Sequence, residues 1–307
     1  MSRATKLASL ILFLTAGVLA PAFAAEERSK LDTAGIDRIT GGKGQMNAEE
    51  GVYKVSFPRD DVKVNVDGVQ MPPFMGLTSW AAFKPGMKEG TVMVMGDMVL
   101  FQDEVNPAMS AALDNGLSVT ALHNHFFYDE PKVYFMHIGG EGTAEALAAG
   151  VRKVQDKVKE IRLAAPQPRK TFNHKPLPQK SSVTAAPLAE AIGSKATEKD
   201  GMVKFTIGRK VKMPCGCEVG KEMGVNTWAA FYGSDEHALV DGDFATFEGE
   251  LQPVLKALRA HEINVVAIHN HMEGENPRVI FLHYWGVGPA AELAKGVKAA
   301  LDTQRTK

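Results

Sequence analysis

The chain has 307 residues, of which 45% are hydrophobic and 23% are charged, and its formal net charge is −1. This length and apolar content can supply the cores of two ordinary domains. Acidic and basic residues are interspersed and form no basic stripe, so nucleic acid is not an expected partner.

The N-terminus has the pattern of a secretory signal peptide. A positively charged start precedes an apolar run over residues 7–20, and the Ala-Phe-Ala sequence ending at Ala24 fits the small-x-small cleavage rule. We expect a signal peptide over residues 1–24, cleavage near Ala24, and a periplasmic or secreted protein. No second long apolar run follows, so we expect no integral membrane contact.

The remaining sequence contains an internal duplication. Between Gly96 and Gly150, the matching residues lie 146 positions before their partners without a gap. Self-similarity over such a length indicates a repeated domain. We predict a first repeat domain over residues 31–163, a linker over 164–186 and a second repeat domain over 187–301. The linker is rich in Pro, Lys, Gln, Ser and Thr, a composition that favours an exposed segment.

Each copy predicts the same order of elements. In the first copy we predict strands over residues 53–57, 62–66, 79–83 and 91–101, a helix from Asn106-Pro107 to Asn115-Gly116, strands over 117–126 and 132–138, and a helix over 143–159. The glycine-rich residues 139–142 are predicted to form a short turn. The predicted fold class is α+β, with two homologous domains of mainly antiparallel sheet flanked by helices and related by pseudo-two-fold symmetry.

Six of the nine histidines form two sets with the same spacing. The sets are His123, His125 and His137 in the first copy and His269, His271 and His283 in the second. On a strand, His123 and His125 point the same way, and a hairpin turn at Pro131 returns His137 to the same face. We expect this strand to be buried on both faces, where imidazoles need partners.

The two sets predict a three-histidine transition-metal site in each repeat. Zinc is the expected ion, and copper, nickel, iron or manganese would also accept imidazole ligands. The alternative is that the histidines are core residues bonded to the backbone and to one another.

Glu104 and Glu250 are the candidate catalytic residues. They occupy matching positions upstream of the histidines. Three neutral histidines leave the fourth position of zinc to water, and a nearby carboxylate could accept a proton from that water or act as a ligand. The structural alternative is a carboxylate favoured by the dipole of a helix start. Asp97 and Asp243 precede predicted strand ends and are interpreted as turn residues.

Cys215 and Cys217 are the two cysteines of the chain. We interpret them as an incidental pair or a local disulfide in a loop, with a soft ion such as Cu(I) as the alternative partner.

The motifs Trp-Ala-Ala-Phe, Gly-Asp, Glu-x-x-Pro, His-Asn-His and Pro-x-x-x-Phe-x-His together resemble the LppY/LpqO family of bacterial exported proteins. The resemblance covers nearly the whole chain after the signal peptide. It implies export but no activity, because that family is essentially a domain of unknown function. Named members are lipoproteins, whereas this chain has no cysteine at which a lipid could be attached.

Three functions follow from these observations. The first is an exported protein that binds or handles a metal ion or small ligand at its histidines. The second is a metal-dependent hydrolase with Glu104 and Glu250 as bases. The third is a non-catalytic binding module with structural histidines. Retention of both histidine sets favours the first two, and the sequence assigns no oligomeric state.

Overall fold

The computed structural model describes residues 31–304, so the predicted signal peptide lies outside the described residues. The helices of this part of the chain are α1 (Thr33–Thr40), α2 (Gln102–Asp114), α3 (Ala144–Ala164), α4 (Ala185–Ile192), α5 (Leu251–Ala260) and α6 (Ala290–Asp302). None of these helices is both long and apolar enough to span a membrane.

The strands fall into two similar series. The first series is β1 (Gly44–Asn47), β2 (Val52–Pro58), β3 (Asn65–Val66), β4 (Val69–Gln70), β5 (Thr78–Pro85), β6 (Val92–Phe101), β7 (Ser118–His123), β8 (Asp129–Glu130) and β9 (Val133–Gly142). The second series is β10 (Thr197–Lys199), β11 (Met202–Gly208), β12 (Val211–Lys212), β13 (Glu218–Val219), β14 (Asn226–Gly233), β15 (Ala238–Phe247), β16 (Asn264–His269) and β17 (Val279–Gly288). Short 3₁₀ helices span Pro73–Met75, Lys221–Met223 and Glu248–Glu250.

The two halves share one antiparallel sheet of twelve strands, in the order β1-β2-β5-β6-β9-β7-β16-β17-β15-β14-β11-β10. The order is the same from either edge, because each strand has its duplicate at the mirror position. The innermost strands β7 and β16 pair at Leu122 and Ile268, so the pseudo-two-fold axis passes between them. The predicted α+β fold with antiparallel sheet, helices and pseudo-two-fold symmetry is confirmed.

Two side chains complete the hydrogen bonding where the halves meet. The register of β7 shifts after Val119, and that of β16 shifts after Val265. Asn106 of the first half accepts from the Val265 N–H at 2.8 Å and donates to its carbonyl at 3.1 Å. Gln252, the duplicate of Asn106, binds the Val119 N–H at 2.9 Å and its carbonyl at 2.8 Å. The backbone groups left open by the two bulges are therefore paired.

Alternation along the strands separates two faces of the sheet. In β6, Val94, Met98 and Leu100 are buried in a core that continues through both halves and includes the helices. Val99 and Phe101 point the other way, into a smaller core beneath the β3–β4 hairpin. The second half has an equivalent small core beneath β12 and β13. The face opposite the helices also carries the histidines, which lie on or next to β7, β9, β16 and β17.

Helix α2 begins earlier than the sequence predicts. It starts at Gln102 rather than after Asn106, and Pro107 lies inside it. The reason is that the Glu104 carboxylate accepts the N–H of Phe101 at 2.9 Å and so caps the helix one turn earlier. Asn106 is then free to turn its amide toward the other half of the chain.

The turn predicted for residues 139–142 is wrong, because these glycines belong to β9 and pair with β6. Instead, Gly140 of β9 and Gly150 of α3 leave room for helix α3 to pack against the sheet. A Cβ at Gly140 would meet Leu147 Cδ2 at 3.0 Å, and a Cβ at Gly150 would meet Leu117 Cγ at the same distance. Their missing side chains let the helix lie close to the sheet.

Candidate metal centre

A row of paired residues crosses each half of the sheet on the face opposite the helices. In the first half, Asp97 of β6 pairs with Trp80 of β5 and with His137 of β9, and His137 also pairs with Ala121 of β7. Directly paired residues of antiparallel strands project to the same face. Trp228, Asp243, His283 and Ala267 form the same row in the second half. Strand register therefore places one carboxylate beside one imidazole in each half.

The three histidine rings of the first half lie together. The ring centroids of His123 and His125 are 5.2 Å apart, as are those of His123 and His137. The closest nitrogens are Nε2 of His123 and Nε2 of His137, at 3.1 Å. His125 stacks on Phe135 with the centroids 3.3 Å apart. Strand geometry thus brings Nε2 of His123 and Nε2 of His137 together, but among residues 31–304 the three histidines of this half do not form a set whose ligand atoms all lie within 4.8 Å of one another.

In the second half, an aspartate joins two of the histidines. Nε2 of His269 lies 3.1 Å from Nε2 of His271, which lies 3.3 Å from Oδ2 of Asp243. Among residues 31–304, these three supply the set whose ligand atoms all lie within 4.8 Å of one another. His283 is adjacent, with its ring centroid 4.8 Å from that of His269, and its Nδ1 lies 3.3 Å from the carbonyl oxygen of Gly242.

The interpretation of Asp97 and Asp243 as turn residues is wrong. Both lie within long strands and are buried, with 8% and 3% of their surface exposed. Aspartate is disfavoured inside strands, which is why propensity pointed to a turn. In each residue Oδ1 is buried and has no hydrogen-bond partner within residues 31–304. A buried carboxylate oxygen without a partner is costly, so both positions call for a cation or a donor.

The histidines are more accessible than the sequence predicts. His125 and His271 are exposed, and the other four are half-buried. The prediction that the strand is buried on both faces is wrong, because Thr120 and Val266 also face solvent beside the buried Val119 and Val265. Solvent can therefore reach both histidine clusters, which gives an ion a path of entry.

The charges of the second-half cluster of Asp243, His269, His271 and His283 suit a cation. Burial raises the pKa of Asp243 to about 6, although His283 acts in the opposite direction. Burial and then the neighbouring His283 and His271 lower the pKa of His269 to about 4. Burial also lowers the pKa of His271, so its contact with Asp243 at neutral pH joins a neutral ring to a carboxylate. Neutral imidazoles offer lone pairs, and the carboxylate offers charge.

The predicted catalytic carboxylates have other partners. Both oxygens of Glu104 are bound by Arg59, at 2.8 and 3.0 Å, and Nε of Arg162 lies 2.9 Å from Oε1. Glu250 is bound through both oxygens by Arg209 and accepts the N–H of Phe247 at 2.9 Å. These contacts cap helices and pair arginines that are buried (Arg59 and Arg162) or half-buried (Arg209). A catalytic role for the two residues stays a prediction, which these contacts do not favour.

Cys215 and Cys217 are free and exposed at the tip of the β12–β13 hairpin. Gly216 between them has φ +82°, and the N–H of Cys217 lies 3.4 Å from Sγ of Cys215. A hydrogen bond with the Cys217 side chain, followed by the one from the Cys217 N–H, lowers the pKa of the Cys215 thiol. The loop that the sequence predicts for them is present, and their side chains face solvent.

Sequence comparison divides the chain as the duplication does. Residues 34–157 and 186–303 each match a family model described as Domain of Unknown Function (DUF1259). No curated protein gives a significant match to the chain. The narrower resemblance to the LppY/LpqO family stays a prediction.

Two solved structures show weak similarity. One is a trimeric bacterial microcompartment shell protein PduB, 10% identical, with a TM-score of 0.20 over 85% of this chain and 89% of that chain. The other is ethanolamine utilization protein EutL from Leptotrichia buccalis C-1013-b, 12% identical, with a TM-score of 0.18 over 85% and 94%. Similarity at this level says nothing about what this chain does.

Proposed function

We propose, for a chain that belongs to the family described as Domain of Unknown Function (DUF1259), that Asp243, His269 and His271 bind a transition-metal ion. Two ligands that each lie 2.0–2.1 Å from a tetrahedral zinc are roughly 3.3–3.4 Å apart. The separations of 3.1 Å between His269 and His271 and 3.3 Å between His271 and Asp243 are close to that edge. This spacing is the observation that carries the proposal.

An unpartnered carboxylate oxygen supports the same conclusion. Oδ1 of Asp243 is buried without a hydrogen-bond partner among the described residues. A divalent ion would compensate the charge of the carboxylate and bind the neutral imidazoles together. Zinc fits a set of two nitrogens and one oxygen, and copper, nickel, iron and manganese would accept the same ligands.

The proposal extends to both repeats. His283 is near enough to become a further ligand or to orient one, and the first half has the same residue types at matching positions. They are Asp97, His123, His125 and His137. We therefore propose a second ion in the first half, held by the three histidines with Asp97 beside them. The function is then the binding and handling of metal ions by a two-site protein.

Metal analysis of protein prepared without a histidine tag tests the proposal. We expect up to two zinc ions per chain and, after exchange for cobalt, a visible absorption band typical of tetrahedral nitrogen and oxygen ligands. Replacing His269 and His271 by alanine should remove one ion, and replacing His123 and His137 should remove the other. Replacing His237 and His261, which lie outside both clusters, should remove none. Zinc contents that are equal in all variants would refute the site.

Metal-dependent hydrolysis is the second candidate function. Three protein ligands leave the fourth position of tetrahedral zinc to a water molecule, whose pKa zinc lowers toward neutrality. The exposure of His271 supports access of a substrate to that position. Zinc-dependent cleavage of an activated aryl ester, lost in the His269 and His271 variant, would favour it. Stable zinc binding without turnover would leave metal binding as the function.

We also propose export as the setting of the site. The pattern over residues 1–24 predicts cleavage after Ala24. N-terminal sequencing of the protein from the periplasmic fraction should begin at Ala25. Recovery of the uncut chain from the cytoplasm would contradict this proposal and would leave the metal site unaffected.

A further inference from the structure

Two adjoining cavities form a cleft where the halves of the chain meet. Their volumes are about 380 Å³ and about 260 Å³, and both are lined by Gln102, Asn106, Phe172 and Asn264. Pockets for small organic ligands typically span about 300–1,000 Å³. The two cavities share one wall and so lie side by side next to residues 169–172.

One end of the cleft is basic. Arg169, Lys170 and Arg259 line the smaller cavity together with Asp103. Asp103 is already neutralised, because it forms an ion pair with Arg162 and accepts the N–H of Arg169 at 3.1 Å. The net charge facing this cavity is therefore positive.

Neutral groups hold the guanidinium of Arg259. Its Nη1 donates to the carbonyl of Ile263 at 2.9 Å and to Oδ1 of Asn264 at 3.1 Å, and its Nε donates to the Ser110 hydroxyl at 3.2 Å. Within residues 31–304, no carboxylate forms an ion pair with it. Burial lowers the pKa of Arg259, with only Glu262 acting in the opposite direction. A half-buried guanidinium held by neutral acceptors is well suited to bind a carboxylate.

The other end of the cleft is aromatic and reaches His283, which lies beside the proposed metal site. Tyr134, Phe172, Val266, His283 and Trp285 line the larger cavity. Phe172 stacks against Trp285 with the ring centroids 5.2 Å apart. The acidic residue at this end is the exposed Asp241, which disfavours an anion there. A ligand would therefore place its charge at Arg259 and its apolar body against the aromatic wall.

The cleft differs between the two copies of the duplicated sequence. The position of Arg259 corresponds to Leu113 in the first copy, and that of Trp285 corresponds to Gly139. The cation and the indole ring are thus features of the second copy. We propose that this cleft binds a small aromatic carboxylate, with the carboxylate at Arg259 and the ring against Phe172 and Trp285. His283 at the far end would place such a ligand beside the ion proposed above, but the binding does not depend on that ion.

Calorimetry on the full chain after removal of metal tests this inference. The probes are benzoate, phenylacetate and cinnamate, with benzyl alcohol as the neutral control. We expect at least one acid to bind and the alcohol to bind at least tenfold more weakly. Arg259→Gln should weaken the acid at least tenfold, because a charge-assisted bond is lost. Trp285→Gly, which installs the residue of the first copy, should also weaken it.

Arg278→Gln is the matched control, since Arg278 is exposed in the same half and lies outside the cleft; it should bind as the parent does. Thermal unfolding checks that each variant folds. If Arg259→Gln does not fold, the binding measurements on Trp285→Gly provide the test. The inference is overturned if none of the acids binds the parent protein, or if both cleft variants bind them unchanged. Because these titrations use metal-free protein, their result is separate from the zinc measurement, and either proposal can fail alone.

Discussion

The side-chain amide of Asn106 binds both backbone groups of Val265, a residue of the other half of the chain. Gln252 does the same for Val119 in the opposite direction. Each helix thus provides the partner that a bulged strand of the other half lacks. These amides supply four hydrogen bonds between the two halves, beside the paired position of Leu122 and Ile268 and the core that both halves share.

Asn106→Leu should therefore destabilise the whole protein. The substitution leaves a buried N–H and a buried carbonyl without partners, which costs about 1–3 kcal/mol. We expect a decrease of about 2 kcal/mol in the free energy of unfolding in urea, with a similar loss for Gln252→Leu. Asn115→Ala at the C-terminal cap of the same helix removes an exposed bond to Ala111 and serves as the control. A control that loses as much stability as Asn106→Leu would refute the special role of the amide.

Asp243→Asn should have opposite effects with and without metal. Burial raises the pKa of this carboxyl to about 6, so its ionised form is unfavourable in the metal-free protein at neutral pH. Removing that charge should increase the free energy of unfolding by about 2 kcal/mol. The same change removes a ligand of the second-half site, so zinc should raise the melting temperature less than it does in the parent, and the remaining effect belongs to the first-half site. Parallel thermal scans with zinc and with chelator measure both effects, and a variant that zinc still stabilises fully would contradict the ligand assignment.

The pH dependence of stability should separate Asp243 from His269. The pKa of Asp243 is raised in the fold from 3.8 to about 6, so its contribution is present below pH 3.8 and is lost as pH rises through 6. The pKa of His269 is lowered from 6.5 to about 4, so its contribution is present above pH 6.5 and is lost as pH falls through 4. The two effects oppose each other in the metal-free protein. Asp243→Asn should leave a stability that rises with pH between 4 and 6.5, which urea titrations at several pH values can measure.

Zinc affinity should fall in acid because a proton competes at Asp243. With its pKa at about 6, the carboxyl must lose a proton to bind zinc below that pH, while His269 remains neutral to about pH 4. We expect the dissociation constant to rise about tenfold per pH unit below pH 6. Competition with a chromophoric chelator measures it. A loss of two protons beginning above pH 6 would instead assign the effect to the histidines.

Glu104→Gln should reduce stability and leave zinc binding intact. The carboxylate is fully buried and pairs with Arg59 and Arg162, and removing one partner of a buried pair typically costs about 3–5 kcal/mol. Zinc content measured below the melting temperature of the variant should equal that of the parent. Glu250→Gln, next to Arg209, should behave alike. Lost turnover with retained zinc and unchanged stability would support Glu104 as a general base, and lost zinc with unchanged stability would support it as a ligand.

The main elements of the fold could be predicted from the sequence because each pattern occurs in both copies of the duplication. The strands around Trp80 and Trp228, the helix after residue 143 and the grouping of the histidines follow from periodicity and spacing. Strand alternation was enough to bring His123 near His137, since it depends only on local geometry and a hairpin.

The missed features depend on contacts between distant residues. Asp97 and Asp243 lie in strand interiors that their propensity disfavours, and only the register of β6 with β9 and of β15 with β17 places them beside histidines. Asp97 and Asp243 occupy matching positions in the two copies, and this match was the sequence signal that could have grouped them with the histidines. The continuity of the sheet through Leu122 and Ile268 has no local signature either, because β7 and β16 belong to different repeats and are far apart in the sequence.

The pairing of β7 with β16 has a genetic consequence. In a homodimer each codon change alters both subunits, so a ligand cleft and its mirror image must change together. Here one chain encodes both halves, so Arg259 and Trp285 can arise without altering Leu113 and Gly139. Such a molecule can keep two ion sites and yet form a single organic-ligand cleft away from the axis, whereas in an exact two-fold assembly every cleft away from the axis occurs twice.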